Sequence, residues 1–376
     1  MQTNKLHIVS FDVPYPPDYG GIIDVYYKIK SLYEAGCEIY LHCFEYGRDH
    51  AAELEKYCKE VHYYKRITGI GGVSLSLPYI VYSRRNNGLL KRLQEMDAPI
   101  LFEGIHTTYY LSHPSLRDRI KGIRTHNIEH EYYLKMAERE PDFMKKTYYK
   151  TEAALLKKYE ASLHNANAFF ALSLTDSEHF RKLYPGIKNC FVPPFHPYNA
   201  VNSKPGTGAY CLYHGNLSHP ENREAVFFLL NEIIPNIEAQ FTIAGKNPAE
   251  DLVSECNRLP NCSIISNPGK ATMDGLVENA QIHVLPTFRQ TGMKLKLLSA
   301  LYGGRHVLVN EAMLSGTGLN ALCNIADSKE KFVSKINELM QLPFTEQDKI
   351  TRTEQLYPYN KANNANILLK AMEIIP

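Results

Sequence analysis

Short apolar runs and amphipathic stretches alternate along this chain in two successive blocks. In the first block the apolar runs read as strands at Leu6 to Ser10, Glu38 to Cys43, Glu60 to Tyr64, Ile100 to Glu103, Gly122 to Thr125 and Ala168 to Leu172. The stretches between them predict helices over Ile22 to Gly36, Ala51 to Tyr57 and 142–166. Such alternation is the pattern of βα units around a parallel sheet. In the 142–166 helix Leu155, Leu156 and Leu163 face inward, while Lys145, Lys146, Lys150, Lys157 and Lys158 form a solvated side.

The alternation stops at Phe191-Val192-Pro193-Pro194-Phe195-His196-Pro197-Tyr198, where three prolines in five positions break any regular element. An interdomain linker is expected there. Beyond a polar segment the pattern restarts with strands at Ala209 to Gly215, Gln240 to Ala244, Cys262 to Ile265, Ile282 to Leu285 and His306 to Asn310, and a helix over Glu221 to Asn236. The fold expected is α/β, with two doubly wound parallel-sheet domains of Rossmann-like form facing a cleft. The domains are 1–195 and 196–351, and the helical segment 352–376 is a candidate to pack back on the first. A length of 376 residues suits two domains of ordinary size.

Composition narrows the class. With 44% hydrophobic residues, 22% charged residues and a net charge of +2, the chain is globular and makes no electrostatic case for gripping nucleic acid. Its 8 cysteines are scattered without C-x-x-C or another metal spacing, which suits reduced core thiols in a cytoplasmic protein. The N-terminus enters a strand with neither signal nor transit character, and no apolar run nears the roughly 18 to 20 residues of a membrane span. Arg117, Arg119, Lys121 and Arg124, with the lysines of the long helix, suggest peripheral contact at the inner face of a membrane. The 26 tyrosines against 0 tryptophans suit sugar stacking or interface filling equally.

Candidate chemistry sits at two strand–loop–helix turns, one in each half. In the second half an apolar strand runs into a loop with Arg289 and Gly292, and the next helix opens on Lys294 and Lys296. Unpaired N–H groups and the positive end of the macrodipole make such a turn an anion site. In the first half a proline-rich turn ends on Gly20-Gly21, where the backbone can approach a ligand closely. Neither turn has the spacing of a dinucleotide fingerprint or a P-loop. By the switch-point rule, Gly215-Asn216-Leu217 and Gly245-Lys246-Asn247-Pro248 also fall at ligand-facing strand ends. His126 and His130 lack the H-E-x-x-H order and no third ligand is identifiable, so no metal is expected.

With these residues in place, the chain resembles the GT-B glycosyltransferases of the retaining family 4 type over nearly its full length. Pro14-Tyr15-Pro16-Pro17-Asp18-Tyr19-Gly20-Gly21, Glu103-Gly104-Ile105-His106, the segment Arg124 to Tyr133 and Ser173-Leu174-Thr175-Asp176 look like acceptor-side landmarks. His214-Gly215-Asn216-Leu217, Pro220-Glu221-Asn222, Ile243-Ala244-Gly245 and Gly292-Met293-Lys294-Leu295-Lys296 look like the nucleotide-sugar site. The resemblance implies retaining transfer of a hexose from a nucleotide diphosphate sugar, the co-substrate, to a saccharide or lipid-linked acceptor, without metal or other cofactor. His106, Arg289 and Lys294 would be catalytic. The donor would be held by Gly20, Gly21, Gly215, Asn216, Gly245, Arg289, Gly292, Met293, Lys294, Lys296 and Ser299, and the acceptor by His126, Asn127, Glu129 and His130. Ser299 and Thr291 stand where relatives carry glutamates, which motivates the alternative of a GT-B pseudoenzyme that binds a saccharide or partner without turnover.

Overall fold

In the computed structural model, which describes residues 4–288 and 295–376, the apolar runs of the first half lie side by side as seven parallel strands. They are β1 (Lys5–Ser10), β2 (Glu38–Glu45), β3 (Glu60–Lys65), β4 (Ile100–Glu103), β5 (Lys121–Thr125), β6 (Ala168–Ala171) and β7 (Lys188–Phe191), in the order β3-β2-β1-β4-β5-β6-β7. Strands β1, β2, β4, β5 and β6 are buried along almost every residue, as expected of a parallel sheet covered on both faces. The sheet grows from β1 toward β3 and then from β4 the other way. That reversal places a topological switch point at the carboxyl ends of β1 and β4.

This first unit comprises Met1–Pro197 and Pro358–Pro376. The C-terminal helix Lys361–Ala371 supplies Ala365, Leu368 and Leu369 to the same core as Val25, Ile29 and Leu32 of the helix Gly20–Glu34. The boundary between the units falls inside the proline run, between Pro197 and Tyr198, and most of the run packs into the first unit. Val192, Phe195 and His196 are fully buried in the first unit, Phe195 N–H donates to Asp24 and the His196 ring bonds the Tyr359 carbonyl. Prolines lack the donors that a sheet would require, but they can line a core whose polar partners are side chains.

The second unit, Tyr198–Tyr357, repeats the design with six parallel strands. These are β8 (Cys211–Asn216), β9 (Phe241–Lys246), β10 (Cys262–Ser266), β11 (Ile282–Val284), β12 (His306–Val309) and β13 (Asn324–Ile325), in the order β10-β9-β8-β11-β12-β13. Its switch point lies between β8 and β11. Two expectations change in detail. The segment Ala52–Lys56 is a 3-10 turn rather than an α-helix, and the helix starting at Pro220 gives way after Phe228 to a π-turn and a 3-10 turn that contains Pro235.

Three members of the expected basic surface of the first unit turn inward, while Arg117, Lys145, Lys150, Lys157 and Lys158 stay exposed. Arg124 is fully buried, and Lys121 is 3% exposed with its ammonium on the Leu116 carbonyl at 2.9 Å. Arg119 bonds the Ala98 and Leu93 carbonyls and Asp97. These cations lie on β5 or in the turn before it and are used internally. None of the 8 cysteines is in a disulfide, and no helix among the described residues is long and apolar enough to cross a membrane.

Candidate functional site

The carboxyl ends of β1, β4 and β5 in the first unit rest on a fully buried ion network. Asp24, on the helix after β1, receives Arg124 Nη2 at 2.8 Å and Nε at 3.1 Å, Lys28 Nζ at 2.9 Å and Phe195 N–H at 2.8 Å. Lys28 also bonds Glu103 at 2.8 Å, the last residue of β4, and Glu103 is 3.4 Å from His126. Burial alone would raise the Asp24 carboxyl, but the Arg124 and Lys28 charges hold it well below the usual carboxylate range. Asp24, Glu103 and His126 have the spacing of a metal-ligand trio. The Lys28 ammonium bonds both carboxylates, so the cation of this cluster is a side chain of the protein itself.

Above this network stands His106. Gly104, with φ +69°, turns the chain out of β4, and a Cβ there would lie 2.6 Å from His106 Nδ1, so glycine is what lets the imidazole fold back. Phe11, after β1, packs on the ring at 5.7 Å between centroids. Burial, then the charges of Arg84, His126 and Arg66, hold the imidazole neutral, and its Nδ1 is buried without a hydrogen-bond partner. A neutral buried ring with an unsatisfied nitrogen is suited to hydrogen-bonding a ligand rather than to carrying charge.

His126, Asn127, Glu129 and His130 follow β5 into the helix Glu129–Arg139. Burial pushes the Glu129 carboxyl up to about 8, against an Asn127 amide bond at 3.4 Å and with the Glu160 charge nearby. His130 is drawn the other way: its N–H and Nδ1 both bond Glu160 on the helix Phe143–Glu160. Ser173 caps the helix after β6 through the Asp176 N–H at 3.0 Å, and burial lifts Asp176 to about 6.

Gly20 and Gly21 open the helix Gly20–Glu34, whose first turn no side chain caps. A Cβ at Gly21 would meet the Phe11 ring at 3.0 Å. The proline turn before them is tied by Arg48, which bonds the Pro16 carbonyl at 2.8 Å and the Asp18 carboxylate and lies 3.7 Å from Asp12.

In the second unit the switch point is built from amides, hydroxyls and one lysine. Gly215 and Gly245 face each other across β8 and β9, and a Cβ at Gly245 would lie 1.8 Å from the Gly215 carbonyl oxygen. Only glycine fits. The Asn222 amide donates to the Asn216 carbonyl at 2.7 Å and its oxygen accepts from Tyr213 at 3.1 Å. Lys296, at the start of the helix Leu295–Gly303, bonds Tyr213 at 3.1 Å and the same Asn222 oxygen. The Asn216 side chain accepts from Ser218 N–H and hydroxyl at 3.2 and 2.8 Å. The Thr287 hydroxyl donates to Glu221 at 2.5 Å, which joins the loop after β11 to the helix after β8. Ser299 is half-buried on the helix Leu295–Gly303. Arg289, Thr291, Gly292, Met293 and Lys294 lie outside the described residues.

Whole-chain comparison fits this pair of switch points. No protein-family model matches the chain. An uncharacterized 44.6 kDa protein in the cps region of Klebsiella pneumoniae is 26% identical over 334 residues, covering 84% of this chain and 85% of that one. Among solved structures, the lipopolysaccharide outer core galactosyltransferase WaaB in its apo form superposes with a TM-score of 0.62 at 13% identity, over 97% of this chain and 99% of that one. Arabidopsis thaliana UGT89C1 complexed with UDP-L-rhamnose gives 0.56 at 10% identity over 98% of each chain. The E. coli trehalose-6-phosphate structure bound with UDP-2-fluoro glucose gives 0.60 at 9% identity over 99% of each. The fold is GT-B.

Within that GT-B frame the structure adds residues that strand-end motifs do not reveal. Asp24 and Lys28 are spaced i,i+4 on a helix whose other inward residues, Ser31 apart, are apolar, and that spacing is the signal that could have found them. Arg66 and Arg84 follow no recognisable turn motif, and only the fold brings their charges to His106. Arg124, read as a surface cation, is a strut of the network beneath it.

Proposed function

We propose that this chain is a glycosyltransferase that moves a hexose from a nucleotide diphosphate sugar to a saccharide or lipid-linked acceptor. The observation that carries the reading is the GT-B fold over nearly the whole chain, shared with proteins seen bound to UDP-L-rhamnose and UDP-2-fluoro glucose. The first unit would hold the acceptor and the second the donor. The Klebsiella relative is named for a cps region, and we place the reaction accordingly in the assembly of a surface polysaccharide.

In the reaction as we read it, the acceptor hydroxyl attacks the anomeric carbon on the face from which the diphosphate leaves. The bond from that carbon to the phosphate oxygen breaks, the bond to the acceptor oxygen forms, and the acceptor proton passes to the departing phosphate oxygen. Configuration is retained. Arg289, Lys294 and the N-terminus of the helix Leu295–Gly303 would stabilise the charge on the leaving diphosphate, with no metal required. The neutral imidazole of His106 would hydrogen-bond the sugar without adding charge beside the oxocarbenium-like carbon. Asn216 and the backbone at Gly215 and Gly245 would line the nucleotide side.

The test is donor consumption by the purified chain against a panel of UDP- and GDP-sugars, with the anomeric configuration of the product read by NMR. Turnover with retention is expected, and Lys294→Ala should lower it on the order of 10²-fold, the scale of losing one charge-stabilising donor. Nucleotide-sugar binding with no consumption in the presence of any acceptor would return the non-catalytic alternative. Product of inverted configuration would overturn the retaining mechanism.

A further inference from the structure

Arg84 is a buried cation without an anion. It is 4% exposed, its Nε donates to the Phe11 carbonyl at 3.1 Å and its Nη1 to the Ile80 carbonyl at 2.7 Å. No carboxylate among the described residues forms an ion pair with it. Its Nη2 has no protein partner there, yet is not sealed from solvent. Lys28 and Arg124, buried just as deeply, share Asp24, and Lys28 also takes Glu103, whereas Lys121 rests on the Leu116 carbonyl. A desolvated guanidinium with no counter-charge is costly, and such a cost is retained where a ligand supplies the charge.

Arg66 sharpens the imbalance. It lies after β3, with Nε on the Ser83 hydroxyl at 2.9 Å and its guanidinium over the rings of Tyr46 at 4.3 Å and Tyr79 at 5.2 Å. It too forms no ion pair among the described residues. After burial, its charge is the main influence depressing Arg84, ahead of the Asp12 charge, which acts the other way. The acids nearby do not cancel them. Asp12 already receives Val13 N–H and has Arg48 at 3.7 Å, and burial keeps Glu129 protonated up to about 8. His106 is neutral. The corner formed by the ends of β1, β3 and β4 is therefore cationic at neutral pH and lined with tyrosine rings.

We propose that Arg84 and Arg66 recognise an acidic group, a carboxylate or a phosphate, on the acceptor, next to His106. This rests on the reading of the first unit as the acceptor-holding half. Arg84 would present Nη2, and Arg66 its two free terminal nitrogens, as charge-assisted donors in the planar geometry that suits either anion. Tyr46 and Tyr79 hold Arg66 in place, and the two carbonyl bonds fix Arg84. The pair is prepared before the ligand arrives.

Calorimetric titration of the full chain with glucose, glucuronate and glucose 6-phosphate tests this, the last two distinguishing carboxylate from phosphate. At least one acidic probe should bind about tenfold more tightly than glucose, the scale of one charge-assisted bond. Arg84→Gln should abolish that preference and Arg84→Lys should keep part of it. Should Arg84→Gln fail to fold, Arg66→Gln, which loses only one side-chain bond, carries the same test. Equal binding of all three probes to the wild-type chain, or an unchanged preference in a folded variant, would overturn the proposal. Equal binding of the three probes to a wild-type chain that does consume a nucleotide sugar would sink the anion site alone. An Arg84-dependent preference in a chain that consumes no donor would keep the anion site and remove its assignment to an acceptor.

Discussion

The two units order their strands identically from the first strand outward and fill the two switch points with opposite chemistry. In the first, the helix after β1 carries Asp24 and Lys28 into a network closed by Glu103 and Arg124, with no solvent exposure. In the second, the equivalent ground below β8 is held by Asn222, Tyr213 and Lys296, and by two glycines that let β8 and β9 meet. One sheet order thus supports a rigid ionic floor in one unit and a close-packed amide floor in the other. Function is written on the fold by these fillings and not by the strand order itself.

Breaking the ionic floor should produce the largest effect. Asp24→Asn removes one negative charge from a site holding Arg124 and Lys28, and such a change typically costs about 3–5 kcal/mol because the remaining cations stay buried. Chemical unfolding, read together with hydrogen exchange of the β1, β4 and β5 amides, should locate the loss in the first unit. A loss below about 1 kcal/mol would mean that the network relaxes or hydrates on losing its centre.

The amide floor should break through space rather than charge. Gly245→Ala puts a methyl group against the Gly215 carbonyl, which forces β8 and β9 apart at a cost of about 1–3 kcal/mol, as for overpacking elsewhere. Exchange should quicken in β8 and β9 and stay unchanged in β1 to β7. Asn222→Ala, which strips partners from Tyr213, Lys296 and Asn216, should cost about 1–3 kcal/mol in the same unit.

These two floors also explain what the sequence disclosed. Strand ends with glycine, histidine or asparagine were legible because backbone approach and ligand-facing polarity leave a local signature, as at Gly104-Ile105-His106 and Gly215-Asn216. Eleven strands follow from apolar runs, whereas β7 and β13 do not. β7 is an edge strand, Lys-Asn-Cys-Phe, with no fully buried residue, and β13 spans two residues, so neither needs an apolar pattern. Arg84 and Arg66 carry no local signature at all. Arg124 misleads because a cation in a basic run reads as solvated until the fold supplies Asp24 from 100 residues away. The proline run marks the boundary between the units, but its burial is hidden in the sequence, since its partners Asp24 and Tyr359 are remote.

The smallest predicted effect is the pH dependence that Glu129 of the first unit contributes. The folded Glu129 carboxyl titrates near 8, above its ordinary 4.5, so the folded chain holds a proton there that the unfolded chain has lost. Its contribution is fully present below about 4.5 and declines as pH rises toward 8. Between pH 6.5 and 7.5 the Glu129 contribution alone should fall by about 1 kcal/mol. Buried histidines such as His7 and His106 act in the opposite sense, because burial holds their rings neutral while the unfolded rings bind protons near 6.5. The Glu129 part is therefore read as a difference: Glu129→Gln should gain about 1 kcal/mol relative to the wild type between those two pH values in denaturant melts, and no difference would place a charged carboxylate at Glu129.

The claim beneath the comparison is that the second unit is the half that takes a nucleotide diphosphate sugar. Hydrogen exchange of the whole chain, with and without saturating UDP-glucose and GDP-mannose, tests it most directly. The account predicts slowed exchange at Gly215 to Ser218, Gly245 to Asn247, Thr287 and Phe288 with at least one of the two, and little change at the ends of β2 and β3. Protection confined to the Arg66 and Arg84 corner of the first unit, or none with either nucleotide sugar, would contradict it.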